Sequence, residues 1–352
     1  MKHFQHILVW SLATVLLVAI FSHTKPVVAD VDKVEIRYGT STPQFVLLSF
    51  DGSKSLDMWK QTREFAQKMN NENKPLHFTY FINSIYLLTE EKKDAYESPK
   101  GVKGDSLIGF SNSEEDVTRR VAEIKKAFED GHEIASHTAG HFPGQNWSEE
   151  FWKKEFTSFQ NLIDDVSKNN PSVIVPDISF LKNEIVGFRA PELGVNDVMY
   201  KSLKALNFSY DSSGIGLGDK QPEKDEYGIW HIPLNTIKIG DNNTFAISMD
   251  YSLWVLQSYG VEEVKNGTDT WNKYFNDVKK SYMEYFDRNY KNNRAPVVIG
   301  NHFSLWNDGV YWEATKSFAE DVCGKPEVYC VTFKEYVRYL NARNTEPLVK
   351  SL

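Results

Sequence analysis

Two histidines lie four residues apart in the segment Ala-Ser-His137-Thr-Ala-Gly-His141. His137 ends a predicted strand and His141 lies in the following turn, so two neutral imidazole nitrogens can bind one metal ion. A structural or surface histidine pair is the alternative. This segment is the strongest single indication of chemistry in the chain.

Other polar side chains end or closely follow apolar, strand-like runs. Asp51 ends the run Phe-Val-Leu-Leu-Ser-Phe, although a lone aspartate there is often only a turn former. Arg189 precedes a proline turn, where a guanidinium can clamp a carboxylate bidentately or form an ordinary surface ion pair. Asp211 and His302 follow two later runs. Together these positions predict one polar cluster.

Elements of alternating type must position these side chains. The spacing predicts strands over residues 45–50, 77–82, 133–136, 185–188, 208–210, 230–233, 245–249 and 297–299. It predicts helices over residues 56–69, 114–130, 148–167, 196–206, 261–289 and 311–322. This alternation indicates an α/β fold, a distorted (β/α) barrel with its chemistry where the strands stop. Residues 88–110 interrupt it and are predicted to form a loop at one wall of the cleft.

The first 29 residues look like a signal peptide. A lysine precedes an apolar run over residues 7–21, which is shorter than the roughly 20 residues of a membrane span. Small side chains up to Ala29 favour cleavage there, and an uncleaved anchor is the alternative. We therefore expect an exported protein, periplasmic or secreted, with no stable membrane span after processing. Residues 30–352 are expected to form one catalytic domain.

The net charge argues against a nucleic-acid partner. The chain has 40 basic and 48 acidic residues, and removing residues 1–29 takes away Lys2 and Lys25, leaving 38 − 48 = −10. With 41% hydrophobic residues, the chain can bury a full-sized core. We expect a monomer.

Two cysteines, Cys323 and Cys330, are close in sequence near the C-terminus. An oxidising compartment makes a disulfide between them plausible, and so small a loop gains at most about 2.5 kcal/mol from the bond. We predict that this disulfide forms. Two cysteines without further thiols are a poor zinc-finger pattern.

The ordered motifs Ser-Phe-Asp51, His137-Thr-x-x-His141, Arg189-Ala-Pro-Glu, Tyr-Asp211-Ser-Ser and a late strand leading to His302 resemble those of NodB-type polysaccharide deacetylases, carbohydrate esterase family 4. The resemblance covers residues 45–339. The residues within these motifs are most similar to those of the chitin-deacetylase branch of the family. The resemblance implies a distorted (β/α) barrel and a bound divalent metal ion, with Zn²⁺ as the expected ion. It also implies hydrolysis of an acetamido group on a polysaccharide such as peptidoglycan or chitin.

The same resemblance implies roles for individual residues. His137 and His141 would be metal ligands, and His302 would be the general acid that protonates the departing amine. Arg189 would orient the catalytic aspartate, while Asp211 would support that arginine and line the cleft. The implied substrate-binding residues are Trp306, Trp230 and Pro191; core packing is an equal alternative for the two tryptophans.

The first motif departs from the family pattern. The family has two consecutive aspartates before a glycine, one as base and the next as metal ligand, whereas here Asp51 is followed directly by Gly52. Ungapped alignment makes Asp51 the base; keeping the Asp-Gly pair together makes it the ligand. The second carboxylate could come from Asp57, or water could complete the coordination.

The expected activity is hydrolysis of N-acetyl groups from N-acetylglucosamine units, with Asp51 as base and a backbone N–H after the first motif helping to stabilise the oxyanion. A catalytically impaired, sugar-binding protein of the same fold is the rival, because the first motif is shortened. An O-acetyl esterase is a second enzymatic alternative. The sequence leaves peptidoglycan and chitin equally open.

Overall fold

Strand β1 (Gln44–Asp51) is the centre of the main sheet, and all of its residues are buried. It pairs in parallel with β11 (Val297–His302) on one side. On the other side, β12 (Val328–Cys330) pairs with its start and β2 (Thr79–Ile82) with its end. Burial on both faces explains why β1 reads as a continuous apolar run. In this register Asp51 lies opposite His302.

The computed structural model describes residues 42–241, 244–262 and 264–345. All of the described residues belong to one compact unit. The predicted signal peptide, residues 1–29, lies outside these ranges. Within them, no helix combines the length and apolar character needed to cross a membrane.

The main sheet continues from β2 through mostly parallel neighbours. Its order is β11-β1-β2, then β3 (Glu133–Ser136), β4 (Gly187–Phe188), β5 (Tyr210–Asp211), β8 (Trp230–His231) and β7 (Glu223–Lys224). Only β7 runs antiparallel to its neighbour among these described pairs. The sheet curls into a half-barrel, so the prediction of an α/β fold of the distorted (β/α) barrel type is confirmed.

A second sheet adjoins β11. It contains β6 (Ile215–Gly216), β9 (Leu234–Ile239) and β10 (Thr244–Ile247), with β10 antiparallel to β9. Just after β10, Met249 forms a bridge with Gly300 of β11. The strand predicted over residues 245–249 is therefore present over Thr244–Ile247, but it belongs to the smaller sheet. Partly exposed side chains along β10 distinguish it from the buried strands of the main sheet.

Helices cover the outside of the curled sheet. The helices of the described residues are α1 (Leu56–Asn71), α2 (Glu114–Glu129), α3 (Glu149–Asp164), α4 (Val166–Asn169), α5 (Leu181–Glu184), α6 (Asp197–Ala205), α7 (Asp250–Ser258), α8 (Asp269–Lys291), α9 (Trp306–Val322) and α10 (Phe333–Thr345), with short 3₁₀ turns at Ser84–Leu87, Glu90–Ala95 and Pro191–Leu193. Most predicted helices agree within a few residues. Helix α8 begins later than predicted because the Thr268 side chain caps it, accepting from the Trp271 N–H. Helices α5, α7 and α10 were not predicted.

The two faces of β1 enter different parts of the core. Val46, Leu48 and Phe50 pack in the cluster under the helices, whereas Phe45 and Leu47 pack in the barrel interior. Successive side chains of a strand point to opposite faces. Ser49 and Asp51 therefore point into the barrel. The pleat alone aims the Asp51 carboxylate at the interior.

The predicted disulfide between Cys323 and Cys330 is present. It joins the end of α9 to β12 across a separation of 7 residues. We expect Cys323→Ser with Cys330→Ser to lower the free energy of unfolding by at most about 2.5 kcal/mol, because only a short loop loses its crosslink. Denaturant unfolding of wild type and double variant measures the change; complete loss of folding would show that the bond does more than fix a local loop.

Candidate active site

A buried ion pair lies at the carboxyl end of β1. Arg189 Nη1 donates to Asp51 Oδ1 at 2.7 Å and to Ser49 Oγ at 3.0 Å. The guanidinium is fully buried and Asp51 is 3% exposed. Burial by itself would raise the pKa of Asp51, but the charges of Arg189, His137 and His302 outweigh it and hold the pKa below its ordinary value. Asp51 is therefore an ionised carboxylate at neutral pH.

The residue that supports Arg189 is Ser212. Arg189 Nε donates to the Ser212 carbonyl at 3.2 Å and Nη2 donates to its hydroxyl at 2.9 Å. The adjacent Asp211 accepts instead from the Ser213 hydroxyl and from Tyr200, and Ser213 Oγ in turn accepts from the Ala190 N–H at 2.8 Å. Asp211 was predicted to support Arg189. It instead fixes the backbone next to Arg189 through Ser213, and Ser212 makes the direct contact.

His137 follows β3 and lies next to this pair. Its Nδ1 donates to the Arg189 carbonyl at 2.7 Å, which leaves Nε2 without the proton in the neutral ring. Burial lowers the pKa of His137. Burial, with the nearby charges of His137 and His302, lowers the pKa of His141 to about 3. The two ring centroids are 5.0 Å apart, so the structure brings two neutral imidazoles together.

The turn that connects the two histidines is held in an uncommon conformation. Thr138 and His141 have φ of 63° and 62°, in the left-handed region that side chains with a Cβ rarely adopt. Glu155 of α3 compensates, because its Oε1 accepts from the Ala139 and Gly140 N–H groups at 2.9 and 2.7 Å. The position of His141 thus depends on a buried carboxylate that the sequence analysis did not single out.

Two further contacts tie the turn to its surroundings. Tyr96 donates its hydroxyl to Glu155 Oε2 at 2.6 Å, and the Leu107 N–H donates to the Gly140 carbonyl at 3.1 Å. Both residues belong to the loop over residues 88–110. Asn83 Nδ2 donates to the His137 carbonyl at 2.5 Å. The loop packs against the histidine turn, as expected of a cleft wall.

The residues present do not fit a complete metal site. A catalytic zinc takes about three protein ligands. Two neutral imidazoles suit the ion, but among the described residues no group of three or more His, Cys, Asp or Glu side chains is arranged to hold one. Asp51, predicted as base or ligand, directs one of its two carboxylate oxygens, Oδ1, at Arg189. Asp57 is an exposed residue in the first turn of α1, so it does not supply the missing carboxylate.

The position after Asp51 explains the gap in the ligand set. Gly52 has φ of 83°, and no atom lies within 4 Å of the place that a Cβ would occupy. The chain therefore leaves space, and no side chain, where the family pattern has its second aspartate. The Gly52 N–H donates to the Phe81 carbonyl at 3.0 Å, so this N–H is not free to stabilise an oxyanion as expected.

His302 is held by a carboxylate that the sequence analysis missed. Asp250, the first residue of α7, accepts from His302 Nδ1 and from the His302 N–H, each at 2.7 Å. Burial would lower the pKa of His302, but the charge and hydrogen bond of Asp250 outweigh it and raise the pKa above its ordinary value. Asp250 directly follows the predicted strand 245–249, so the same strand-end signal could have found it.

Aromatic side chains surround His302. The ring of Trp306 lies 5.2 Å from it, and Trp306 stacks on Trp254 with 4.6 Å between centroids. Trp306 thus lies beside His302, and its role as a wall of the cleft stays a prediction. Trp230 does not: it is 5% exposed, packs in the barrel interior and donates Nε1 to Asn341 at 2.9 Å. Pro191 is also buried, in the turn after Arg189.

Comparisons with known proteins agree with this geometry. Residues 39–210 match the polysaccharide deacetylase family model. The match covers just under half of the chain and includes Asp51, His137, His141 and Arg189, while Asp211, Asp250 and His302 lie beyond it. A search of curated proteins gave no significant match.

Solved structures with the polysaccharide deacetylase fold are similar over most of the chain. A candidate polysaccharide deacetylase of Mycobacterium smegmatis is 15% identical, with 88% of this chain and 94% of that chain covered and a TM-score of 0.52. A candidate polysaccharide deacetylase of Pseudomonas aeruginosa PAO1 is 13% identical, with coverage of 89% and 98% and a TM-score of 0.51. Puue allantoinase is 12% identical, with coverage of 89% and 98% and a TM-score of 0.50. Identities this low establish a shared fold only.

Removing the hydroxyl of Tyr96 tests the support of the histidine turn. We expect Tyr96→Phe to speed amide exchange at Ala139 and Gly140 roughly fivefold, since a hydrogen bond of about 1 kcal/mol that holds Glu155 is lost. Hydrogen exchange followed by NMR measures both amides. Tyr80→Phe is the matched control, because Tyr80 also buries its hydroxyl in a hydrogen bond, to Thr62 at 2.9 Å. Equal exchange in both variants would show that Tyr96 does not support this turn.

The Asp250 contact makes a pH-dependent prediction. Asp250→Asn removes the negative charge that stabilises protonated His302, so the pKa of His302 should fall. The stability that this pair contributes is present below the unfolded-state pKa of about 6.5 and is lost as pH rises through the folded pKa. NMR titration of the His302 ring in both proteins measures the shift. An unchanged midpoint would mean that Asp250 does not set the charge of His302.

Proposed function

We propose that this chain hydrolyses the N-acetyl groups of N-acetylglucosamine units in a cell-wall polysaccharide, peptidoglycan or chitin. The observation that carries the proposal is the pairing of charge states across β1 and β11. The charge of Arg189 lowers the pKa of Asp51, and the charge of Asp250 raises the pKa of His302, which lies opposite Asp51 in the strand register. A base and an acid facing one cleft suit hydrolysis of an amide.

The proposed reaction uses these two groups in sequence. Asp51 accepts a proton from water as the water oxygen bonds to the acetamido carbonyl carbon. The carbon–nitrogen bond then breaks, and His302 donates its proton to the departing nitrogen. The products are acetate and a free amine. Arg189 orients Asp51 and favours its ionised form. Asp250 orients His302 and favours the protonated form of its ring.

A zinc ion takes no step in this proposal, because the set of protein ligands for one is incomplete. His137 and His141 remain the residues that the family resemblance gives as ligands, and metal dependence remains a prediction from that resemblance. Export, to the periplasm or the medium, is likewise part of the proposal. The Cys323–Cys330 disulfide supports it, because such bonds persist in oxidising compartments.

Replacing the proposed acid tests the mechanism. We expect His302→Ala to lower the rate about 10² to 10⁴-fold, the usual contribution of one acid–base group. Amine release from chitin tetramer and from peptidoglycan fragments, confirmed by mass spectrometry, measures it. His77→Gln is the control, because His77 lies before β2 and pairs with Glu335, away from the strand ends that carry the site. Undiminished turnover by His302→Ala would remove His302 from the mechanism.

The role of Asp51 has its own test. Asp51→Asn keeps the shape of the side chain and removes its charge. If Asp51 is the base, the variant should lose turnover while its metal content stays unchanged. If Asp51 is a metal ligand, the variant should lose turnover and metal together. Activity assays with elemental analysis of the same samples separate the two roles. Normal turnover with unchanged metal content would defeat both.

A second candidate is a sugar-binding protein with impaired catalysis. The specific observation in its favour is Gly52, which leaves the histidine pair without an adjacent carboxylate. Calorimetric binding of chitin tetramer without amine release at any pH would favour this candidate.

A further inference from the structure

An apolar groove of about 550 Å³ lies between α7 and the small sheet of β6, β9 and β10. Four of its lining side chains are large, hydrophobic and strongly exposed: Ile215 (59%), Phe245 (60%), Tyr251 (49%) and Val255 (41%). Its volume is in the range of small-molecule sites. Exposed apolar surface of this kind is uncommon without a ligand or a partner.

The groove adjoins the candidate active site at two points. Tyr251 directly follows Asp250, and its ring centroid is 6.1 Å from that of His302. Ile215 lies three residues after Ser212, which holds Arg189. The residues that orient the proposed acid and the proposed base are thus each followed by a residue that lines this groove. The Tyr251 ring therefore separates the groove from His302 by only its own width.

The lining indicates the chemistry of that ligand. Among the described residues that line the groove, Thr236, Ser252 and the Tyr251 hydroxyl supply the polar side-chain groups. A sugar ring would give up water around several hydroxyls and find few hydrogen-bond partners, which is unfavourable. An aliphatic chain gives up no hydrogen bonds to water on entering such a groove, and it removes apolar surface from water.

We propose that this groove binds the hydrocarbon part of an N-acyl group, so that the enzyme hydrolyses N-acyl amino sugars with chains longer than acetyl. This inference rests on the proposed function and names its substrate class. The chemistry is the same hydrolysis: the carbon–nitrogen bond breaks, water supplies the carboxylate oxygen, and the amine takes the proton. The acyl chain, and no further sugar unit, occupies the groove.

The experiment measures kcat/KM for chitosan tetramers carrying acetyl, butyryl, hexanoyl or octanoyl groups, by amine release. For the wild type we expect a rise of roughly threefold per added methylene until the groove is filled. Val255→Asp places a carboxylate in the groove and should abolish the rise while leaving the acetyl substrate unaffected. Val261→Asp is the matched control, with the same change at a position that is 46% exposed and outside the lining.

Binding supplies a readout that does not need turnover. Calorimetry should show that N-octanoylglucosamine binds wild type and Val261→Asp more tightly than N-acetylglucosamine does, with the difference lost in Val255→Asp. Amine release only from the acetyl substrate, with equal binding of both ligands, would overturn the groove assignment and leave the proposed function standing. A rise with the number of sugar units and not with acyl length would also overturn it. Differential binding without any amine release would refute the proposed function and uphold the groove.

Discussion

The buried ion pair between Arg189 and Asp51 is the interaction on which the site depends. Removing two charges from water is costly, and a buried pair is tolerated only when hydrogen bonds satisfy both partners. Ser49 and Ser212 satisfy the guanidinium, whose carbon also lies 4.3 Å from the centroid of the Phe81 ring. The Arg189 carbonyl then orients His137. One guanidinium and its backbone thus connect the ends of four strands, β1, β3, β4 and β5.

Much of this arrangement was predictable because each participating strand ends on a polar residue. The buried run before Asp51 predicted both the strand and, through the alternation of its side chains, an inward carboxylate. The parallel order of the strands then brings their carboxyl ends to one edge, which is why residues as distant as Asp51 and His302 were grouped correctly. The helices were predicted from the spacing of apolar residues, and the structure adds side-chain caps such as Ser113 at α2.

What the sequence did not reveal are the residues that act through a neighbour. Asp250 directly follows a predicted strand but was not grouped with the other strand-end residues, and Ser212 was overlooked because a serine between two polar residues carries no signal of its own. Glu155 lies in the middle of a helix, where a buried acid is indistinguishable from a solvent-facing one until the helix is packed. Trp230 shows the converse. Its aromatic side chain suited the wall of a sugar-binding cleft, and only its position in the sheet showed that it lies in the core.

The central place of β1 has a consequence for how the protein is made. Its flanking partners β11 and β12 lie about 250 or more residues further along the chain, as the hydrogen bond from Ser49 to the Ile299 carbonyl illustrates. An emerging chain therefore carries this buried strand without its flanking partners until β11 and β12 have been synthesised, and contacts of such long range form slowly. The same order applies to the candidate site, since Asp51 gains His302 as its neighbour only when β11 is in place.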